Sequence, residues 1–211
     1  MKVESTELYF IKCTIKYCMV FCLLLLSGCM GQITIPEDHY YRLPDISPHE
    51  NLAEPVLEGA IGVEMFRLNG IPNSRSVLYV DPSHPNELMH YHYRHWVDSP
   101  EKLINSSIIS FLRASGFARN VGRTDEKILQ EIIIRGKIIN FERVMESSGP
   151  KVDVKLEMSI DSKQDKQPGK MKIYQSIIAA DNSSMDATIV AFGKALKSIY
   201  QVLLSDISAI K

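Results

Sequence analysis

Two sets of side chains in this sequence could do chemistry, and they lie far apart in the chain. The first is a thiol. All four cysteines, Cys13, Cys18, Cys22 and Cys29, fall within the first 29 residues. Cys29 ends the run Leu26-Ser27-Gly28-Cys29, directly behind the apolar stretch Leu23–Leu26. Small residues after an apolar segment are what a signal peptidase needs at its cleavage site. A Cys directly after Ser-Gly reads as a bacterial lipobox: diacylation on sulfur, cleavage on the N-terminal side of Cys29, then acylation of the freed amine, typically with palmitate. An ordinary secretory leader leaves that Cys unexplained. A membrane-spanning anchor needs about 20 apolar residues, whereas only Tyr17–Leu26 is uninterrupted.

The second set is His90, His92 and His95, with His84 nearby. On a strand, alternate residues share a face about 7 Å apart, so His90 and His92 could face one metal ion. His95 points the other way unless the strand bends. No H-E-x-x-H pair is present, and the sequence fixes no carboxylate beside these rings. The segment therefore reads as the polar face of a strand whose other face carries Tyr91 and Tyr93, and no metal is assigned to it.

Other chemistries lack their residues. No G-x-S-x-G occurs. Gly59, Gly62 and Gly70 make no phosphate-binding fingerprint, and there is no Walker motif. Asp125-Glu126 lies in a polar stretch and reads as solvated. The expectation is a non-enzyme without a cofactor. Cleavage before Cys29 removes 28 of 211 residues and leaves 183, enough for one domain with a proper core. The leader takes three of 24 basic and two of 25 acidic residues, leaving a net charge of −2. That balance gives no support to nucleic-acid binding. With Cys29 acylated, disulfides, Cys-ligated zinc and a Cys nucleophile are excluded from the rest of the chain.

The organisation is therefore a signal peptide over 1–28, a lipidated tether over 29–39 and a single domain over 40–211. The ten residues 30–39 could span up to ~35 Å. Tyr40–Leu43 has strand propensity and stops at Pro44. Strands are expected over 56–66, 77–80 and 87–96. A helix should follow, with Ser99 as N-cap, Pro100 at its first position and Gly116 as its stop. Ile104, Ile108, Phe111, Leu112 and Ser115 form one face of it. Phe117–Val121 is a further strand.

Glu131–Met145 is long, Ile-rich and β-prone, with Gly136 marking a bulge or bend. Ser147–Pro150 turns the chain. Lys151–Asp161 alternates strictly, with Val152, Val154, Leu156, Met158 and Ile160 one way, predicting one wet face. Lys170–Ala180 returns as a third strand with Met171, Ile173, Ile177 and Ala179 on one side. These three should form a meander. A closing helix starts near Ser183 or Ser184, and Ile189, Phe192, Leu196, Ile199 and Leu203 form its stripe. The fold class expected is α+β, a mixed, mainly antiparallel sheet with two main amphipathic helices packed on it.

The order of these features resembles a known family. A lipobox, the strand Tyr40–Leu43, then Tyr91-x-Tyr93-x-x-Trp96-x-Asp98-x-Pro100 running into an amphipathic helix, Gly116-Phe117 and Val121, is similar to the ABC-type transport auxiliary lipoproteins. These are the paraquat-inducible-protein-C-like companions of MCE-domain lipid transporters in Gram-negative envelopes. The resemblance covers most of 29–207 and is most specific over Tyr93–Pro100. Val97 departs from it, as does the His-rich Met89–His95 segment. It implies a non-catalytic accessory protein that docks onto a periplasmic MCE-domain protein, with the permease and ATPase on separate chains. It also implies an outer-membrane anchor facing the periplasm, since Met30 rather than Asp follows Cys29, and a homo-oligomer suited to a symmetric partner. Tyr91, Tyr93, Trp96, Asp98 and Pro100 would then form a structural or partner-binding motif. The alternative is a periplasmic module that binds lipid or lipopolysaccharide directly. An apolar cavity of several hundred Å³ between sheet and helices would favour it.

Overall fold

A computed structural model describes residues 15–17, 19, 36–49, 51–68, 74–126, 129–164 and 169–210. The chain divides into two compact units, Met1–Glu37 and Asp38–Lys211. In the first, Ile15–Tyr17 and Met19 are helical. The lipobox and Cys29 lie outside the described residues.

The second unit is α+β. Its spine is β7 (Gln130–Glu146), the Ile-rich stretch expected to be extended. Along one edge it pairs antiparallel with β8 (Gly149–Ser162), and β8 pairs antiparallel with β9 (Lys172–Ala179), completing the predicted meander. The β7–β8 turn passes through Gly149 at φ 116°, a left-handed value that favours glycine.

The other edge of β7 is shared by three short parallel strands. β2 (Leu57–Val63) lies beside Ile132–Ile134, β3 (Arg67–Leu68) beside Lys137 and Ile138, and β4 (Ser76–Val80) beside Glu142–Val144. β6 (Ala118–Arg123) extends the β2 branch in parallel. β5 (Met89–Trp96) pairs antiparallel with β4, and β1 (His39–Tyr41) then pairs parallel with β5. The sheet is thus continuous at β7–β9 and forks beyond β7.

Helix α1 (Pro100–Ser115) begins and ends where the sequence predicts, and its last turn closes on Gly116 at φ 67°. One detail differs. The Ser99 side chain makes no capping bond; instead the Asp98 carboxylate accepts the Ser99 N–H at 3.0 Å. Helix α2 (Met185–Ala209) is capped at Ser184, whose Oγ accepts the Ala187 N–H at 3.1 Å. By length and composition α2 could cross a membrane, but its predicted stripe is buried in the core of this unit.

α2 packs on β8 and β9, α1 on β6 and β3, and the two helices touch. They share one hydrophobic core with Val152, Val154, Leu156 and Met158 of β8. Among the described residues no element covers the other face of the sheet.

Two expectations need correction, and for β9 the structure decides which side is inward. The irregularity in β7 falls between Ile138 and Asn140, not at Gly136. Gly136 is small because the Phe66 ring occupies the place of its missing side chain. The face of β8 expected to be wet holds Asp153 and Ser159 buried, because strands flank it on both sides. On β9 it is Tyr174 that faces α2, while Met171, Ile173 and Ile177 lie on the uncovered side. The Tyr174 hydroxyl donates to Asp206 of α2 at 2.7 Å, which fixes that orientation.

Candidate functional site

The Tyr–Trp motif occupies the junction between β5 and α1. Trp96 is 1% exposed and packs between Phe141 at 5.2 Å and Phe192 at 5.3 Å, one ring from β7 and one from α2. Backbone bonds hold the chain on either side: Trp96 N–H to Arg75 at 2.6 Å and Val97 N–H to Tyr41 at 2.9 Å. Asp98 meets Lys102 at 3.2 Å one turn into the helix. The Ser99 N–H and Lys102 together hold its carboxyl below the usual carboxylate range. Pro100 is buried at the first helical position, where a missing N–H costs nothing.

Tyr91 has a different task. Its hydroxyl accepts from Arg143 Nη1 at 2.9 Å, and Arg143 Nη2 reaches the Ser183 carbonyl at 2.7 Å. The pair ties β5, β7 and the entry to α2 together. The Tyr79 ring lies 4.6 Å from Tyr91. Tyr93, by contrast, is 46% exposed. Tyr91, Trp96 and Pro100 are packed into the fold, Asp98 holds the start of α1 from a half-exposed position, and Tyr93 is exposed without such a task. Arg143 was missed at the sequence level, although a signal existed: it lies two residues after the inward-facing Phe141.

The histidines separate in the same way. His90 and His92 share a face with ring centroids 5.0 Å apart. The β4–β5 register shifts between Ser76 and Leu78. Those two residues share a face of β4 and stand opposite His95 and His90, so the irregularity brings His95 back to the side of the other two. There it is engaged by Ser76 Oγ at 3.4 Å and Asp38 at 3.5 Å. Among the described residues no group of three or more His, Cys, Asp or Glu side chains could hold a metal ion.

The remaining candidate is the uncovered sheet face with its β9 edge. Among the described residues β9 pairs with β8 alone. Ile173 and Ile177 are 55% and 56% exposed, and Met171 continues their row. They stand opposite polar neighbours, Ile173 beside Glu157 and Ile177 beside Asp153. Asp153 is held by Asn140 at 2.7 Å and Gln175 at 2.8 Å. Arg135 joins Glu64, at 2.7 Å, to Asp161. Glu142 sits beside Asp153, and burial, reinforced by the Asp153 charge, pushes its carboxyl above the usual range. A short apolar row bordered by fixed charges has the make-up of a contact surface.

A forked, half-covered sheet with two helices on one face defines the class of fold. No family model matches the chain, and no curated protein matches its sequence. Solved structures share the architecture. A Xanthomonas campestris protein of the DUF330 family is 18% identical, with 79% of this chain and 92% of that one covered and a TM-score of 0.67. An uncharacterized protein is 10% identical, with 82% and 99% covered and a TM-score of 0.64. At such identities the likeness is one of fold.

These findings overturn the resemblance to the ABC-type transport auxiliary lipoproteins. The structural relatives are a DUF330 protein and an uncharacterized one, and neither is described as a companion of an MCE transporter. The physical reason is visible at the junction. Trp96, Asp98, Pro100 and Gly116 are what this strand-to-helix turn needs in order to fold, so they mark an architecture and not a partner.

Proposed function

We propose that this chain is a non-catalytic accessory protein of the Gram-negative envelope. Acyl chains on Cys29 hold it at the periplasmic side of the outer membrane, and it works by docking another envelope protein. The process proposed is phospholipid transport, with the permease and ATPase on other chains, since the sequence carries no nucleotide-binding motif. The observation that carries the docking role is the exposed row Met171, Ile173 and Ile177 on a strand that, among the described residues, is paired on one side only. An uncovered strand edge is a template for an added strand. Exposed Ile side chains beside it supply the apolar contact that fixes register. The partner this fits presents an extended segment with alternate apolar residues.

The test is photo-crosslinking from position 177 in intact cells, followed by detergent extraction and mass spectrometry. A crosslink to a component of a phospholipid-transport system, lost in the double variant Ile173→Glu/Ile177→Glu with the thermal melt unchanged, supports the proposal. Crosslinks to a second copy of this chain would assign the edge to self-assembly instead. Protein that purifies alone with no crosslink would overturn the docking role.

A further inference from the structure

His84 is engaged by Ser83 at 2.9 Å, and His95 by Ser76 and Asp38. His90 and His92 differ: among the described residues no hydrogen bond or ion pair reaches either ring. The ring neighbours of His92 are His90 at 5.0 Å and Tyr93 at 6.4 Å. Both histidines are exposed. β1 covers the edge of β5 at Arg94–Trp96, so among the described residues the edge beside His90 and His92 is open. The register sets His90 opposite Leu78, Leu78 opposite Glu142, Glu142 opposite Asp153 and Asp153 opposite Ile177. The two rings therefore stand on the uncovered face, across the sheet from β9.

Their spacing is that of two ligands to one ion. A ring nitrogen bound at about 2.0–2.1 Å puts its ring centroid roughly 3.2 Å from the metal. Two such rings, at the ~90° of a tetragonal site or the ~109° of a tetrahedral one, have centroids about 4.5–5.2 Å apart. The observed 5.0 Å falls in that range. Exposed imidazoles turn about a broad χ2 torsion, so one nitrogen of each can be aimed at a common point. The donors then select the ion. Imidazole nitrogen suits Cu, Ni and Zn and offers little to Mg²⁺ or Ca²⁺, which take oxygen. Two protein ligands fall short of the three or four of zinc enzymes and zinc folds. Cu(II) heads the divalent series for nitrogen donors and accepts water in its remaining positions.

We propose that His90 and His92 chelate a divalent transition-metal ion, Cu(II) most tightly, through one ring nitrogen each, with water completing the shell. The strand supplies the chelate effect. Once one ring holds the ion, the second meets it as an intramolecular partner, and linkage of this kind raises affinity by roughly 10²–10⁴. The site goes beyond the docking role and shares no residue with the β9 edge.

The test is titration of the native protein, extracted in detergent, with Cu(II). Affinity is read by calorimetry against glycine as competitor, and the donor atoms by electron paramagnetic resonance of the loaded, glycine-free protein. The expected spectrum shows two coupled nitrogens. His90→Gln and His92→Gln should each lower the affinity by about tenfold or more, because either leaves a single imidazole, and the double variant should fall little further. His84→Gln should bind as the parent does. All of these positions are exposed, so the melting temperatures should not move. Zn²⁺ should compete more weakly than Cu(II), and Mg²⁺ in large excess should not compete. Affinity and spectrum unchanged in both single variants would place the ion elsewhere and overturn the proposal. A loss in one single variant but not the other would overturn the chelate. Four coupled nitrogens with a doubled mass in light scattering would overturn a site held within one chain. The Ile173→Glu/Ile177→Glu variant should bind Cu(II) unchanged, so failure of the docking role and failure of this site are separately readable.

Discussion

Tyr91 accepts a hydrogen bond at 2.9 Å from Arg143, a guanidinium that is 5% exposed and has no carboxylate paired with it among the described residues. Its charge is met instead by a phenol oxygen and by the Ser183 carbonyl at 2.7 Å, and among the described residues its Nε has no partner. Removing the Tyr91 hydroxyl strands part of a buried cation. Tyr91→Phe should therefore cost about 1.5–3 kcal/mol, the range for hydrogen bonds to charged groups. Tyr93→Phe, at an exposed position two residues on, should stay within about 0.5 kcal/mol. Urea unfolding of both variants checks this. Equal effects would deny that the motif divides as described.

Gly136 and Phe66 make a second pair of this kind. The Phe66 ring fills the space a Cβ at 136 would need, and Phe66 is buried. Gly136→Ala should destabilise by about 1–3 kcal/mol, as overpacking of a filled core does. Phe66→Leu in the same chain should recover part of the loss, because it vacates the volume that the methyl group enters. The readout is a double-mutant cycle in denaturant, with a coupling energy clearly different from zero.

Much of this fold was legible in local pattern. Ser99-Pro100 and Gly116 bracket α1 because turn and cap chemistry act over a few residues. The alternation of Val152, Val154, Leu156 and Met158 gave the inward face of β8 because the other side carries charges. β9 was harder. Both of its sides hold apolar residues, Ile173 and Ile177 on one and Tyr174 and Ile178 on the other, so periodicity supplies the parity but not which side is inward. Helix α2, whose Asp206 takes the Tyr174 hydroxyl, decides that from far along the chain. The fork at β7 is equally non-local, since three short strands share one edge. His95 was re-aimed by an irregularity that no spacing rule announces. Cys29 was read from the lipobox alone, and the sequence left a structural and a partner-binding role open for the motif residues, because a residue needed for folding and one needed for a partner look alike in a sequence.

Glu142 makes the uncovered face sensitive to pH. Burial and the neighbouring Asp153 raise its carboxyl above the ordinary range, so the folded state holds this proton more tightly than the unfolded state does. Stability from this group is present below the ordinary Glu range and is lost as pH rises through the raised value. Glu142→Gln removes that loss. The variant should melt higher than the parent near pH 7 and match it near pH 4. Thermal melts at the two pH values provide the comparison, and a gain at pH 4 only would reverse the sign argued here.

The anchor carries the last prediction. Two or more acyl chains bind a bilayer stably, at about 0.8 kcal/mol per buried methylene, whereas one chain binds only marginally. If Cys29 receives them, Cys29→Ser should move the protein from the membrane fraction to the soluble fraction. Asp38–Lys211 forms a compact unit by itself, so the released protein should melt as the parent does. Intact mass measurement of the parent should find the leader gone and an acylated N-terminal Cys29. A parent that keeps its leader and carries no acyl group would remove the membrane attachment from the proposed function. The β9 edge would then have to be explained for a protein free to diffuse.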